Sequence, residues 1–229
     1  MQTLQSIRPL FDELGRERYD AARLPGRIIT VSREPGARGA LVARAVATRM
    51  GLAFYDRELL IRMSAEARVA ALAEASPHDH EGTLLPDWIA PMTRMERLSP
   101  YEYSHHLGQV VGAIAACGDA VILGRGAHLM VPPRLALRVL VQAPLPMRIA
   151  AVAAREGIDE TAARSRVAEM ERERRSFLAR CFRVDEGNTS QFDLRVNSGV
   201  LGVDATIAII CAAAAAIGVA RHAHVSHLA

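Results

Sequence analysis

The chain has 229 residues, half of them apolar, with 28 basic against 25 acidic side chains, a net charge of +3 and a pI near 9.0. This fits one sizeable folded domain and excludes a disordered or collagen-like chain; interleaved acids and bases with only 4% aromatic residues give no footing for a nucleic-acid surface. The longest apolar stretch, Ile207 to Ala216, is too short to cross a bilayer and reads as a buried helix, and the polar, acid-containing N-terminus is unlike a secretory leader, so a cytoplasmic protein with no membrane partner is expected.

Leu4, Ile7, Leu10, Phe11 and Leu14 fall at helical spacing and predict an N-terminal helix, ended by Pro25-Gly26. Arg27–Ser32 is a β-branched run with the look of a buried parallel strand, and the glycine-bearing loop Arg33–Gly39 leads from it into a helix from about Ala40 to Met50, stopped by Gly51. Leu52–Tyr55 is a second short strand. Asp56-Arg57-Glu58 then opens a helix with acids at its positive end. Ser76–Pro100, with four prolines, is the most irregular tract; its cluster His78, Asp79, His80, Glu81 reads as solvated rather than as a metal site, and Trp88 as an anchor.

A helix from Tyr101 to Cys117, the strand Ala120–Leu123, the turn Gly124-Arg125-Gly126 and the strand Ala136–Gln142 follow. Pro144–Glu156 predicts a helix ended by Gly157, and Asp159 caps a long Arg/Glu-rich helix to about Phe182. Phe192–Asn197 is a fifth strand, Val203–Ile217 a closing helix, and the tail RHAHVSHLA a frayed end whose histidines carry no role. Strands alternating with helices give an α/β fold with a parallel sheet covered on both faces. Cys117, Cys181 and Cys211 are scattered and odd in number, and read as core thiols.

All 28 basic residues are arginine. Any task that chemistry gives to an ammonium must fall here to a guanidinium, which can grip two phosphate oxygens but is larger and geometrically stricter. A loop between strand and helix aims backbone N–H groups at one point, and the helix N-terminus adds partial positive charge, so Arg33–Gly39 has the form of a phosphate cradle without a lysine.

The segments ITVSREPGARG, FYDRELL, VILGRGAHL, LRVLVQAPLPMRIAAVAAREGI, MERERR and FDLRVNS occur in one order. That order resembles the cytidylate kinase-like family of P-loop nucleoside monophosphate kinases, over roughly residues 27–215. The resemblance implies a three-layer P-loop NTPase-type fold with a five-stranded parallel sheet, an NMP-binding insert at about 65–105 and a helical lid at about 159–190. These lie within a domain at 27–218, flanked by an N-terminal extension at 1–26 and a tail at 219–229.

It further implies ATP and Mg2+ as cofactors, nucleotides as small-molecule substrates, and a nucleotide-phosphate site at Ser32, Arg33, Glu34, Gly36, Ala37, Arg38, Gly39, Ala40 and Leu41. The lysine position of a cytidylate kinase falls on Gly39 and its hydroxyl position on Leu41; Arg38 or Arg33 is left to supply the charge. Asp56, Arg62 and Arg125 fall on acceptor-side positions, with Gly126 where those kinases carry an acid. Lid arginines Arg172, Arg174 and Arg175, together with Arg38, are the candidate catalytic cations. Magnesium is left to water or to an acid such as Glu34 or Asp56, and the oligomeric state is open.

The function expected is transfer of the ATP γ-phosphoryl group to CMP, dCMP or a similar nucleotide. A non-catalytic nucleotide- or anion-binding protein, and a kinase for another small acceptor, stand as alternatives.

Overall fold

The computed structural model describes residues 27–64, 100–184 and 189–225. The expected N-terminal helix, the irregular tract up to residue 99, Trp88 and the His78–Glu81 cluster lie outside the described residues. Five strands form one parallel sheet in the order β2-β3-β1-β4-β5. They are β1 (Ile28–Arg33), β2 (Ala53–Tyr55), β3 (Ala120–Leu123), β4 (Ala136–Gln142) and β5 (Leu194–Asn197). β1 lies at the centre with Thr30 opposite both Ile122 of β3 and Arg138 of β4. The chain builds β2 and β3 on one side of β1, then crosses to β4 on the other. Such a reversal opens a crevice at the carboxyl ends of the central strands.

The first helix, α1 (Gly39–Met50), buries Val42, Ala43, Val46 and Ala47 and stops at Gly51 in the left-handed conformation. α2 (57–64) starts behind Asp56, whose Oδ1 accepts hydrogen bonds from the amides of Glu58 and Leu59, as an N-cap does. Then come α3 (Pro100–Cys117), the single turn α4 (Ala127–Met130), α5 (Leu145–Glu156), α6 (Glu160–Phe182) and α7 (Ser198–Val225). Asp159 caps α6 through a 2.8 Å bond from the Ala162 amide. The strands are apolar on both faces because both are covered. Ile29, Val31, Val121 and Val139 pack with Val42 and Val46 of α1 and Ile210 of α7. On the opposite face Ile28 and Ile122 pack with Leu60, Leu107, Val110 and Ile114.

Two expectations need correction. The stretch Ile207–Ala216 is not buried all round: Ile207, Ile210 and Ala214 face the core, while Ala208, Ile209, Ala212, Ala215 and Ala216 are exposed. The apolar segment is also longer than that run, although it is broken at Gly202, whose backbone is non-helical at φ 77° and ψ 169°. Ser198–Ile217 has a mean hydropathy of 2.3, long and apolar enough by length and composition to cross a membrane, although only 22% of it is buried. Runs of alanine hide this because helix periodicity cannot be read where every residue is small and apolar. The helix also continues to Val225, into the segment expected to fray.

The turn α4 has no counterpart among the expected elements. It tucks His128 beneath β1, where Nδ1 lies 3.2 Å from the Ser32 hydroxyl and the ring stacks on Phe192 at 4.7 Å. Burial, with Arg174 and Arg138 adding like charge, pushes the imidazole down to about 4 against the opposing hydrogen bond of Gln191.

Replacing Ile210, fully buried, by alanine is expected to cost about 2–4 kcal/mol in chemical denaturation, and Ile209→Ala under about 1 kcal/mol. Equal losses would contradict the orientation of α7. Because the folded state holds His128 neutral, its contribution to stability is complete above about pH 6.5 and is lost as pH falls toward 4. The denaturation midpoint of wild type is therefore expected to drop more steeply through this window than that of His128→Gln.

Candidate functional site

The loop after β1 is fixed by its backbone at both ends. The Glu34 amide donates to the Val141 carbonyl at 3.0 Å, the Ala37 amide to the Glu34 carbonyl at 3.1 Å, and the Val42 amide to the Arg38 carbonyl at 3.1 Å. The Ser198 hydroxyl, at the start of α7, lies 2.8 Å from the Ala37 carbonyl and 3.1 Å from that of Gln142. The amides of Gly36, Arg38, Gly39, Ala40 and Leu41 have no partner among the described residues. Four of these five stand at the first turn of α1, so the donors of a 12-residue helix are left for an anion.

Arg33 ends β1, and its side chain turns across the base of this loop. A Cβ on Gly39 would collide with the Arg33 Cβ and lie 2.9 Å from its Cγ; a Cβ on Gly124, at the end of β3, would collide with Nη1. The guanidinium is held where two elements come close to it. Its pKa is pushed down to about 10, first by burial and then by the positive charges of Arg174, Arg57 and Arg125. Burial and the nearby Arg57 likewise lower Arg125, although its largest charge partner, Tyr103, opposes them. Four guanidiniums thus share one corner of the molecule. A buried cation among like charges is costly without an anion, and such clusters mark binding sites.

Beside them a cavity of about 360 Å3 is lined by Arg33, Asp56, Arg57, Glu58, Ile61 and Leu123. It sits at the carboxyl ends of β1, β2 and β3, on the crevice that the strand order creates.

Arg125 lies in the left-handed region at φ 52°, with its guanidinium 5.0 Å from the ring centre of Phe177 on α6 and 5.7 Å from that of Tyr103 on α3. Its buried Nε has no hydrogen-bond partner among the described residues. Next to it, Gly126, in the left-handed region at φ 71°, leaves the space that the Phe182 ring fills. The far end of α6 therefore rests on the Gly-Arg-Gly turn.

The middle of α6 is tied to the loop by Arg148. Its Nη1 donates to Glu171 at 2.6 Å, its Nε donates to the Ala143 carbonyl at 3.0 Å, and Glu34 lies at 3.5 Å. Glu34 also accepts from the Gln142 side chain at 3.2 Å and the Ala143 amide at 3.1 Å. Glu171 thus pairs across to α5 through Arg148.

Of the residues the sequence singled out, the structure brings together Arg33, Asp56, Arg125 and Arg174, with the loop backbone from Gly36 to Leu41 beside them. It does not bring in the others. The Ser32 hydroxyl is turned to His128, inside the core, because β1 is buried on both faces. Glu34 is committed to the loop and Arg148; Asp56, although it lines the cavity, has its carboxylate held by its cap and lies 3.5 Å from Arg44. Arg38 is exposed at the helix start with φ 55°, and the Leu41 side chain is 56% exposed, so these contribute amides.

Arg62, Arg172 and Arg175 are exposed, and only Arg174 of the lid trio acts on Arg33. Helix geometry is the reason: positions 172 and 175 fall away from the face that 174 presents. Arg57 is the site residue that sequence reasoning passed over. It stands inside FYDRELL, where the flanking acids Asp56 and Glu58 mask its signal.

The side chains do not fit a protein-held magnesium. Glu34 and Asp56 are already bonded, Leu41 offers no hydroxyl, and no group of three metal-ligating side chains is found among the described residues.

A sequence model of the cytidylate kinase-like family matches residues 28–200. A protein named cytidylate kinase from Methanopyrus kandleri is 29% identical over 81% of this chain and 92% of its own, and one from Aeropyrum pernix is 24% identical over 79% and 94%. A crystal structure of an uncharacterized Eubacterium ventriosum protein shares the fold at a TM-score of 0.59, with 20% identity over 80% of this chain and 95% of that one. With its sheet order, its open loop amides and a family match that covers most of its length, this chain belongs to the cytidylate kinase-like family.

Proposed function

We propose that the protein transfers the γ-phosphoryl group of ATP to a nucleoside monophosphate of the CMP or dCMP type. What carries the reading is the meeting of the unpaired loop amides with the cluster of Arg33, Arg57, Arg125 and Arg174. The amides of Arg38 to Leu41 hold the donor phosphates, and magnesium belongs to the ATP complex rather than to protein ligands. Arg57 and Arg125 meet the acceptor phosphate in and beside the 360 Å3 cavity, and Arg174 reaches the group in flight.

An ionised oxygen of the acceptor phosphate attacks the γ-phosphorus as the bond from that phosphorus to the β–γ bridging oxygen breaks. ADP leaves with the electron pair, and the acceptor becomes a nucleoside diphosphate. No general base is needed, which agrees with Asp56 serving as a cap. The chain's task is positioning and neutralising charge.

A second reading, a nucleotide- or anion-binding protein without turnover, is favoured by the aromatic cover on Arg125 and by Leu41 in the hydroxyl position. Transfer to another small acceptor is the third. Titration with MgATP followed by a transfer assay over CMP, dCMP and the other nucleoside monophosphates separates them. Turnover with a cytidine nucleotide supports the first; binding alone supports the second.

In the same assay Arg125→Ala is expected to raise the acceptor KM about 10–100-fold, the value of a charge-assisted phosphate contact. Arg174→Ala is expected to lower kcat about 100-fold or more, whereas Arg172→Ala and Arg175→Ala stay within about 3-fold of wild type. Equal losses for all three lid variants would defeat the assignment to Arg174.

A further inference from the structure

We propose that Arg33 takes the place of the missing lysine, gripping the phosphoryl group between donor loop and acceptor cavity, and that Gly39 and Gly124 are glycines because its side chain fills the space over both. This rests on the phosphotransferase reading and adds the residue on which that chemistry turns.

The observation is steric. Gly39 is the first residue of α1, and its amide is among those left unpaired. A side chain growing from it would have to pass through the Arg33 Cβ and Cγ. A lysine at 39 therefore excludes the arginine at 33, as it would any residue there that carries a Cβ. The bare glycine at 39 and the arginine at the head of the loop are one exchange rather than a loss and an unrelated surface charge.

The guanidinium then continues past the loop to Gly124, where a Cβ would meet Nη1, and it forms part of the wall of the cavity beside Arg57. Two glycines from separate elements thus frame one side chain. Its stem lies against the donor end and its head reaches the acceptor end. A planar cation in that position can bond one oxygen of each phosphate, or two of one.

The competing account makes Arg33 a plug that fills the base of the loop and touches no ligand. Shortening the side chain distinguishes the two roles. A plug excludes anions, so removing it would leave binding unchanged or improve it. A grip would be lost.

Isothermal titration with tripolyphosphate, which needs no acceptor, reads this directly in wild type, Arg33→Ala, Gly39→Lys and the double variant Arg33→Gly with Gly39→Lys. Arg33→Met, which keeps the stem over Gly39, covers the case in which Arg33→Ala unfolds. Arg33→Ala, or Arg33→Met in its place, is expected to weaken tripolyphosphate about 10–100-fold. Gly39→Lys alone is expected to weaken it too, through the collision. The double variant Arg33→Gly with Gly39→Lys, which removes the Cβ that a side chain at 39 would strike, is expected to regain about 10-fold over Arg33→Ala, because the lysine then has the vacated space.

Wild-type affinity or better in both Arg33→Ala and Arg33→Met would overturn the grip. A double variant no better than Arg33→Ala would overturn the exchange. Were wild type to bind no tripolyphosphate and turn over no nucleotide, the phosphotransferase reading itself would fall; binding by wild type that survives loss of the guanidinium defeats only the present inference.

Discussion

The Arg33 side chain lies against two glycines at the carboxyl end of the sheet, its stem over Gly39 and its guanidinium over Gly124. Gly39 lets the start of α1 approach the Arg33 stem, and Gly124 lets the end of β3 approach its guanidinium. The cost is electrostatic. Arg33 is half-buried and lies near Arg57, Arg125 and Arg174, so burial and like charge both act against its ionised form. A fold that keeps such a cluster gains from it when a polyanion occupies the centre.

Around this cluster the polar network is a scaffold. Arg148 joins Glu34 of the loop to Glu171 of α6, and Ser198 draws the Ala37 carbonyl toward β4 and α7. Phe182 presses the far end of α6 on the Gly-Arg-Gly turn. The helix that carries Arg174 is thereby tied to the phosphate loop at one point and to the acceptor-side turn at another. In the proposed reaction, closure of a lid would pull on both ties. Phe177 over Arg125 is the contact an acceptor phosphate would have to compete with or lie beside.

Much of the fold was legible because its signals are local. Asp159 before an Arg/Glu helix, Gly51 and Gly157 after helices, and β-branched runs between them mark elements that the structure places within a residue or two. What escaped was whatever depends on a distant partner. Nothing local tells that Ser32 turns to His128, that Arg148 spans two elements, or that Gly126 exists for Phe182. The half-exposed face of α7 was hidden by a run of alanines without period. The phosphate loop conceals its partner in a similar way. Gly39 looks like an absence in sequence, and only in three dimensions does it become the space that Arg33 occupies.

The central claim is that an anion sits between the first amides of α1 and the Arg33 guanidinium. A crystal structure with bound pyrophosphate tests it most directly. One phosphate is expected with oxygens about 3 Å from the Gly39 and Ala40 amides and from Arg33. Pyrophosphate bound elsewhere at saturation, with Arg33 still packed against Gly124 and the loop empty, would contradict it.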